Sequence, residues 1–133
     1  LTPGQVLLDS GSVKLTTSDR FTLLLTLNDG RRTVNWESDA GTHPGTLRVG
    51  QWQHVTAIVD AGPRIISFVI DGEFNDGGAA RQYGWSRYGE LGELAGGTAQ
   101  VAPKLYGELG ALRLYNRYLR TAEAVAHFRA GRA

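Results

Sequence analysis

Residues 64–71 constrain this chain most. They carry Ile65, Ile66, Phe68, Val69 and Ile70, so both faces of an extended segment are apolar. A strand with two apolar faces has to be covered on both sides, which puts it in the middle of a layered fold. Residues 53–60 precede it across the turn Ala61-Gly62-Pro63. Their β-branched content makes the pair a hairpin, the central hairpin of a sandwich.

A second hairpin lies upstream. Phe21, Leu23, Leu25 and Leu27 share one face while Thr22 and Thr26 lie opposite, the period of a half-buried strand. Asn28-Asp29-Gly30 forms the turn. Residues 31–37 then return with Val34 and Trp36 on one face and Thr33, Asn35 and Glu37 on the other. Residues 38–45 read as loop from their Gly and Pro content, and 47–49 as a short edge strand. Residues 73–97 hold little periodicity but many Gly, aromatic and Arg residues, the composition of a long surface excursion. Strand character resumes over 105–115. Thr121 is then placed to cap a short helix with Glu123 in its first turn, His127 and Arg129 in its last, and Gly131 at its close. Ala122, Val125 and Phe128 are expected to dock that helix on a sheet.

At 133 residues the chain suits one core. Its 14 Lys and Arg nearly cancel its 13 Asp and Glu, so neither a nucleic-acid partner nor an anionic membrane surface is indicated. No apolar run approaches the length of a membrane span. Cysteine is absent, which removes disulfides and thiolate metal sites from consideration.

Three stretches carry a family resemblance. They are Gly50-Gln51-Trp52-Gln53-His54-Val55, then Val69-Ile70-Asp71-Gly72, and finally residues 107–123 with Tyr115-Asn116-Arg117-Tyr118-Leu119 at their centre. In this order, from Gln5 onward, they resemble the laminin-G-like members of the concanavalin A-like superfamily. The resemblance implies an all-β fold, an antiparallel β-sandwich of jelly-roll type with a short C-terminal helix, in which residues 1–133 form a single domain. It also implies a lectin-like role in a secreted or cell-surface protein. Members usually begin with one or two strands ahead of the segment that residues 5–9 match. The chain is therefore expected to be a fragment or module of a larger protein, its first strands supplied from elsewhere, since an open sandwich edge exposes unpaired backbone.

Several groups of residues are candidates for chemistry. Trp52 and His54 point to one side of their strand, and the resemblance makes both structural: Trp52 a plug of the sandwich or its edge, His54 a hydrogen-bonded strand residue. Asp71, Glu73, Asn75 and Asp76 crowd one turn, and oxygen-rich turns can hold Ca²⁺. Gln82 stands where the EF-hand pattern requires a bidentate Glu. The competing reading is a solvated turn with Asp71 accepting backbone N–H groups.

Glucanases of this fold place Glu-x-Asp-x-x-Glu on one strand, and that motif is absent. Glu90 and Glu93 lie in a Gly-rich loop that does nothing to set the carboxylate spacing glycoside hydrolysis demands. No Cys nucleophile, Gly-x-Ser-x-Gly elbow or phosphate loop is present, and His43, His54 and His127 sit on unlike elements. These observations disfavour an enzyme.

The run 81–88 combines Arg81, Tyr83, Trp85, Arg87 and Tyr88. Sugars offer an apolar C–H face and a rim of hydroxyls, so an aromatic platform with guanidinium partners suits them; the same residue types anchor protein interfaces. Alternatively Tyr83 and Trp85 fold back as a local mini-core, and Arg81 and Arg87 pair with Glu90 and Glu93. The leading expectation is a non-catalytic carbohydrate-binding module with this run as its ligand site. A domain packed against the rest of a larger enzyme is the alternative, followed by a fragment contributing to a hydrolase or lyase site.

Overall fold

The structure, a computed structural model, describes residues 2–38, 46–75 and 87–131. In chain order the elements are β1 (Val6–Asp9), β2 (Val13–Thr17), β3 (Leu23–Asn28), β4 (Thr33–Glu37), β5 (Val55–Asp60), β6 (Ile65–Ile70), β7 (Glu73–Asn75), β8 (Gln100–Val101) and α1 (Thr121–Gly131). They form a five-stranded sheet of order β4-β3-β2-β1-β8 and a three-stranded sheet of order β5-β6-β7, with every pairing antiparallel.

The period-2 patterns explain how the sheets meet. Leu23, Leu25 and Leu27 of β3 are buried together, and across the β3–β4 hairpin Trp36 stands opposite Leu25 and Val34 opposite Leu27. Ile66, Phe68 and Ile70 face them from β6 and complete one shared core, which Leu47 and Tyr88 close. Alternation thus delivers one row of each hairpin to a common interior.

The other face of β6 is covered as well. Val69 and Ile58 lie beneath Leu119, Ala124 and Val125, so α1 caps the outside of the small sheet. This accounts for a strand apolar on both sides. Ala124 is the buried helix residue and Ala122 is exposed, which corrects the expected docking face. Ala124, Val125 and Phe128 form one stripe at helical spacing, and Ala122 falls off it.

The helix start also differs from expectation. The Arg120 carbonyl accepts the first helical bond from the Ala124 N–H, so Arg120 is the N-cap and Thr121 lies inside the helix. The Glu123 carboxylate reaches back to the Arg120 N–H at 2.7 Å and takes a two-pronged contact from Arg117 at 2.9 and 3.2 Å. That is half of a capping box, strengthened by an ion pair that ties the preceding corner to the helix. These contacts hold the Glu123 carboxyl at about 2, the Arg117 contact contributing most.

Residues 105–115, expected as a closing strand, form no strand. A strand exists by pairing, and among the described residues no strand runs alongside this one. Residues 47–49 are no edge strand either. Leu47 is buried beside the single bridge between Thr22 and Thr46. Three short strands went unread: β2, which carries Lys14 and three Thr or Val positions, and the two- and three-residue β8 and β7.

Candidate functional site

One end of the sandwich gathers the polar chemistry. The β3–β4 turn, the β5–β6 turn and residues 87–94 converge there. Asp29 organises the group. Its carboxylate accepts the N–H groups of Arg31 at 2.8 Å and Arg32 at 2.6 Å, and that of Gly92 at 2.6 Å from the excursion. Three backbone donors, Gly92 foremost, lower its pKa to about 2. Asp29 therefore stays ionised and cannot act as a proton donor near neutral pH.

Glu90 lies between two guanidinium groups, 3.7 Å from Arg32 and 3.9 Å from Arg64. Arg32 also donates to the Glu90 carbonyl at 3.3 Å. Glu90 thus pairs with arginines from both hairpin tips; of the partners expected for Glu90 and Glu93, Arg87 makes no ion pair among the described residues and Arg81 lies outside them. The space they enclose is an open cleft of about 620 Å³ lined by Asp29, Arg31, Arg32, Arg64, Glu90 and Leu91, with Gly92 at its rim.

Of the residues singled out in the run 81–88, Arg87 and Tyr88 fall within the described part; Arg81, Tyr83 and Trp85 lie outside it. Arg87 is exposed and bridges to Ile65, and the Tyr88 N–H donates to the Arg64 carbonyl at 2.9 Å. This brings Arg87 and Tyr88 to the edge of the cleft. Tyr88 itself is a core residue, 7% exposed, and burial raises its phenol pKa. Its ring packs against the sheets and offers no surface platform.

The calcium candidates come apart. The Asp71 carboxylate accepts the His54 N–H at 2.9 Å, the backbone role that competes with a metal ligand. Asn75 is buried on β7 opposite Phe68. Asp76 lies outside the described residues. No group of three or more His, Cys, Asp or Glu side chains is placed to hold a metal ion among the described residues. Asp71 and Asn75 do not make an oxygen cage, which a hard cation with six or more ligands needs.

Trp52 is 68% exposed, its ring edge against Gly110, and so plugs nothing. His54 is half-buried with its ring tilted against Phe128 at 5.8 Å, and burial lowers its pKa against the opposing pull of Asp71. Sequence reasoning named Glu90 but missed Asp29, Arg32 and Arg64 as its companions. The signal for Asp29 was its place in an Asn-Asp-Gly turn, where Asx side chains accept nearby N–H groups; nothing local pointed to Gly92.

Two antiparallel sheets around one core, with a helix on the outer face and a polar cleft among the end loops, define a lectin-type β-sandwich. The chain belongs to the Concanavalin A-like lectin/glucanases superfamily, whose laminin-G-type profile matches residues 3–126. Comparison with curated proteins and with solved structures gave no match. The superfamily includes both lectins and glucanases.

Proposed function

We propose that this domain is a non-catalytic, lectin-like carbohydrate-binding module of a secreted or cell-surface protein, and that the cleft at the hairpin tips receives the sugar. The observation that carries this reading is the cleft itself: guanidinium groups of Arg31, Arg32 and Arg64 around an open space of about 620 Å³. Guanidinium forks donate to sugar hydroxyls in a fixed plane. Arg81, Tyr83 and Trp85, in the run that leads to Arg87, supply the proposed aromatic platform and a further donor.

A binding role is favoured over hydrolysis because the Glu-x-Asp-x-x-Glu strand motif of the glucanases is absent from the sequence, and Asp29 does not supply the acid in its place. Glycoside cleavage needs a carboxyl whose pKa is raised so that it can give a proton, and Asp29 is shifted the opposite way, to about 2. The test is retention on a glycan array by the wild-type chain and by Arg64→Ala and Trp85→Ala variants. Loss of retention in both variants is expected. Retention equal to wild type in both, or release of reducing sugar by the wild-type chain, overturns the reading.

A further inference from the structure

The cleft at the hairpin tips carries positive charge that its own carboxylates do not cancel. Arg31, Arg32 and Arg64 line it, against the carboxylates of Asp29 and Glu90. Asp29 is already engaged, since backbone N–H groups of Arg31, Arg32 and Gly92 occupy both of its oxygens. Arg31 makes no ion pair among the described residues. The whole chain is nearly neutral, with 14 Lys and Arg against 13 Asp and Glu, so this excess is local.

That leaves Glu90. Its carboxylate stands 3.7 Å from Arg32 and 3.9 Å from Arg64, near enough for an ion pair and too far for a hydrogen bond, and its side chain is 76% exposed. Exposed pairs of this kind contribute little and break easily. The backbone around Glu90 is held by other contacts. The Tyr88 N–H donates to the Arg64 carbonyl, the Arg32 guanidinium to the Glu90 carbonyl, and the Gly92 N–H to Asp29. The Glu90 side chain can therefore swing out while the cleft wall stays in place.

We propose that the Glu90 carboxylate is a displaceable stand-in for the ligand's own, and that the cleft takes a uronic acid residue of an acidic glycan, its carboxylate bound between Arg32 and Arg64. This rests on the reading of the cleft as a sugar site and names the class of sugar. Three features select it. A guanidinium fork meets a planar carboxylate through two parallel N–H···O bonds, a gain that Glu90 does not reach from 3.7 Å. The described lining holds no aromatic ring, and Leu91 is its one apolar side chain, so a neutral sugar would depend there on hydrogen bonds that water matches. With Glu90 turned away, three guanidinium groups border about 620 Å³ of open space, room for a sugar ring behind its carboxylate.

The probes are oligosaccharides of galacturonate, glucuronate, mannuronate and guluronate, each paired with its carboxyl-reduced counterpart and titrated into the full chain at low salt. At least one acid is expected to bind about tenfold more tightly than its reduced counterpart, or better. That advantage is expected to shrink as salt is added. Glu90→Gln removes the internal competitor and is expected to tighten acid binding about two- to fivefold, with the reduced sugars unaffected. Glu90→Ala is expected to act alike, because the effect follows the lost carboxylate. Arg64→Gln is expected to abolish the acid's advantage. Equal binding of acids and reduced counterparts, or unchanged or weaker acid binding in both Glu90 variants, overturns this inference and leaves the sugar-site reading standing. Binding of sulfated neutral oligosaccharides alone does the same, since the anion is then a sulfate. Failure to bind any glycan, acidic or neutral, overturns the reading of the cleft itself and this inference with it.

Discussion

The Asp29 carboxylate and the Gly92 N–H, 63 positions apart in the chain, meet at 2.6 Å. This contact closes one wall of the cleft, because it anchors the segment carrying Glu90 to the tip of the β3–β4 hairpin. Replacing Asp29 by Asn keeps the shape and removes the charge that three N–H groups address. The variant is expected to lose glycan retention without contacting the sugar through a lost guanidinium, and its exchange at Gly92 is expected to quicken.

The same residue sets an acid limit. Its folded pKa of about 2 lies below the ordinary 3.8, so its stabilising contribution is complete above the ordinary value and is lost as the pH falls through the folded one. Glu123, also held at about 2, adds a second contribution of the same sign. Thermal unfolding followed from about pH 5 to about pH 2 should show a falling midpoint in the wild-type chain, with a shallower fall in Asp29→Asn.

His54 acts in the same direction at higher pH. Burial lowers its folded pKa below 6.5, so the unfolded chain binds the proton more readily. Stability is therefore full above about 6.5 and declines as the pH drops below it, levelling once His54 protonates in the folded state. A His54→Gln variant is expected to remove that step from the stability curve while leaving the more acidic one in place.

Gly72 adopts φ +78° in the turn after β6, and a Cβ built there would overlap the Phe128 ring. Gly72→Ala combines left-handed backbone strain, worth about 1–3 kcal/mol, with an overlap that pushes the helix outward. Gly30, at φ +89° with nothing within 4 Å, meets only the strain. In chemical denaturation Gly72→Ala is expected to cost more than Gly30→Ala. Adding Phe128→Ala to Gly72→Ala should cost less than the sum of the two single changes.

Phe68 is the largest fully buried side chain among the described residues and stands where β6 faces β3. Phe68→Ala is expected to destabilise by about 3–5 kcal/mol. That is a large part of the stability of a domain this size, so the variant should recover poorly from expression or unfold at a much lower denaturant concentration.

Much of the fold was legible because alternation is a local property. The row Leu23, Leu25 and Leu27, its partners Val34 and Trp36, and the two-sided apolarity of β6 follow from period 2, and each lies as that period requires. The family resemblance rests on equally local motifs, and its profile covers residues 3–126. The candidate site was less legible. Glu90 and the approach of Arg87 were visible in sequence, but Tyr88 went to the core, and Asp71 turned to the His54 backbone.

By itself, then, the sequence determined which faces of which strands are apolar, and so that two hairpins must close on each other with a helix outside. Only the tertiary structure decided that Asp29 meets Gly92, that Glu90 lies between Arg32 and Arg64, and that residues 105–115 form no strand. The reason is physical. Periodicity specifies the side a residue faces within its own element, while a neighbour across the chain depends on where separate turns and loops come to rest.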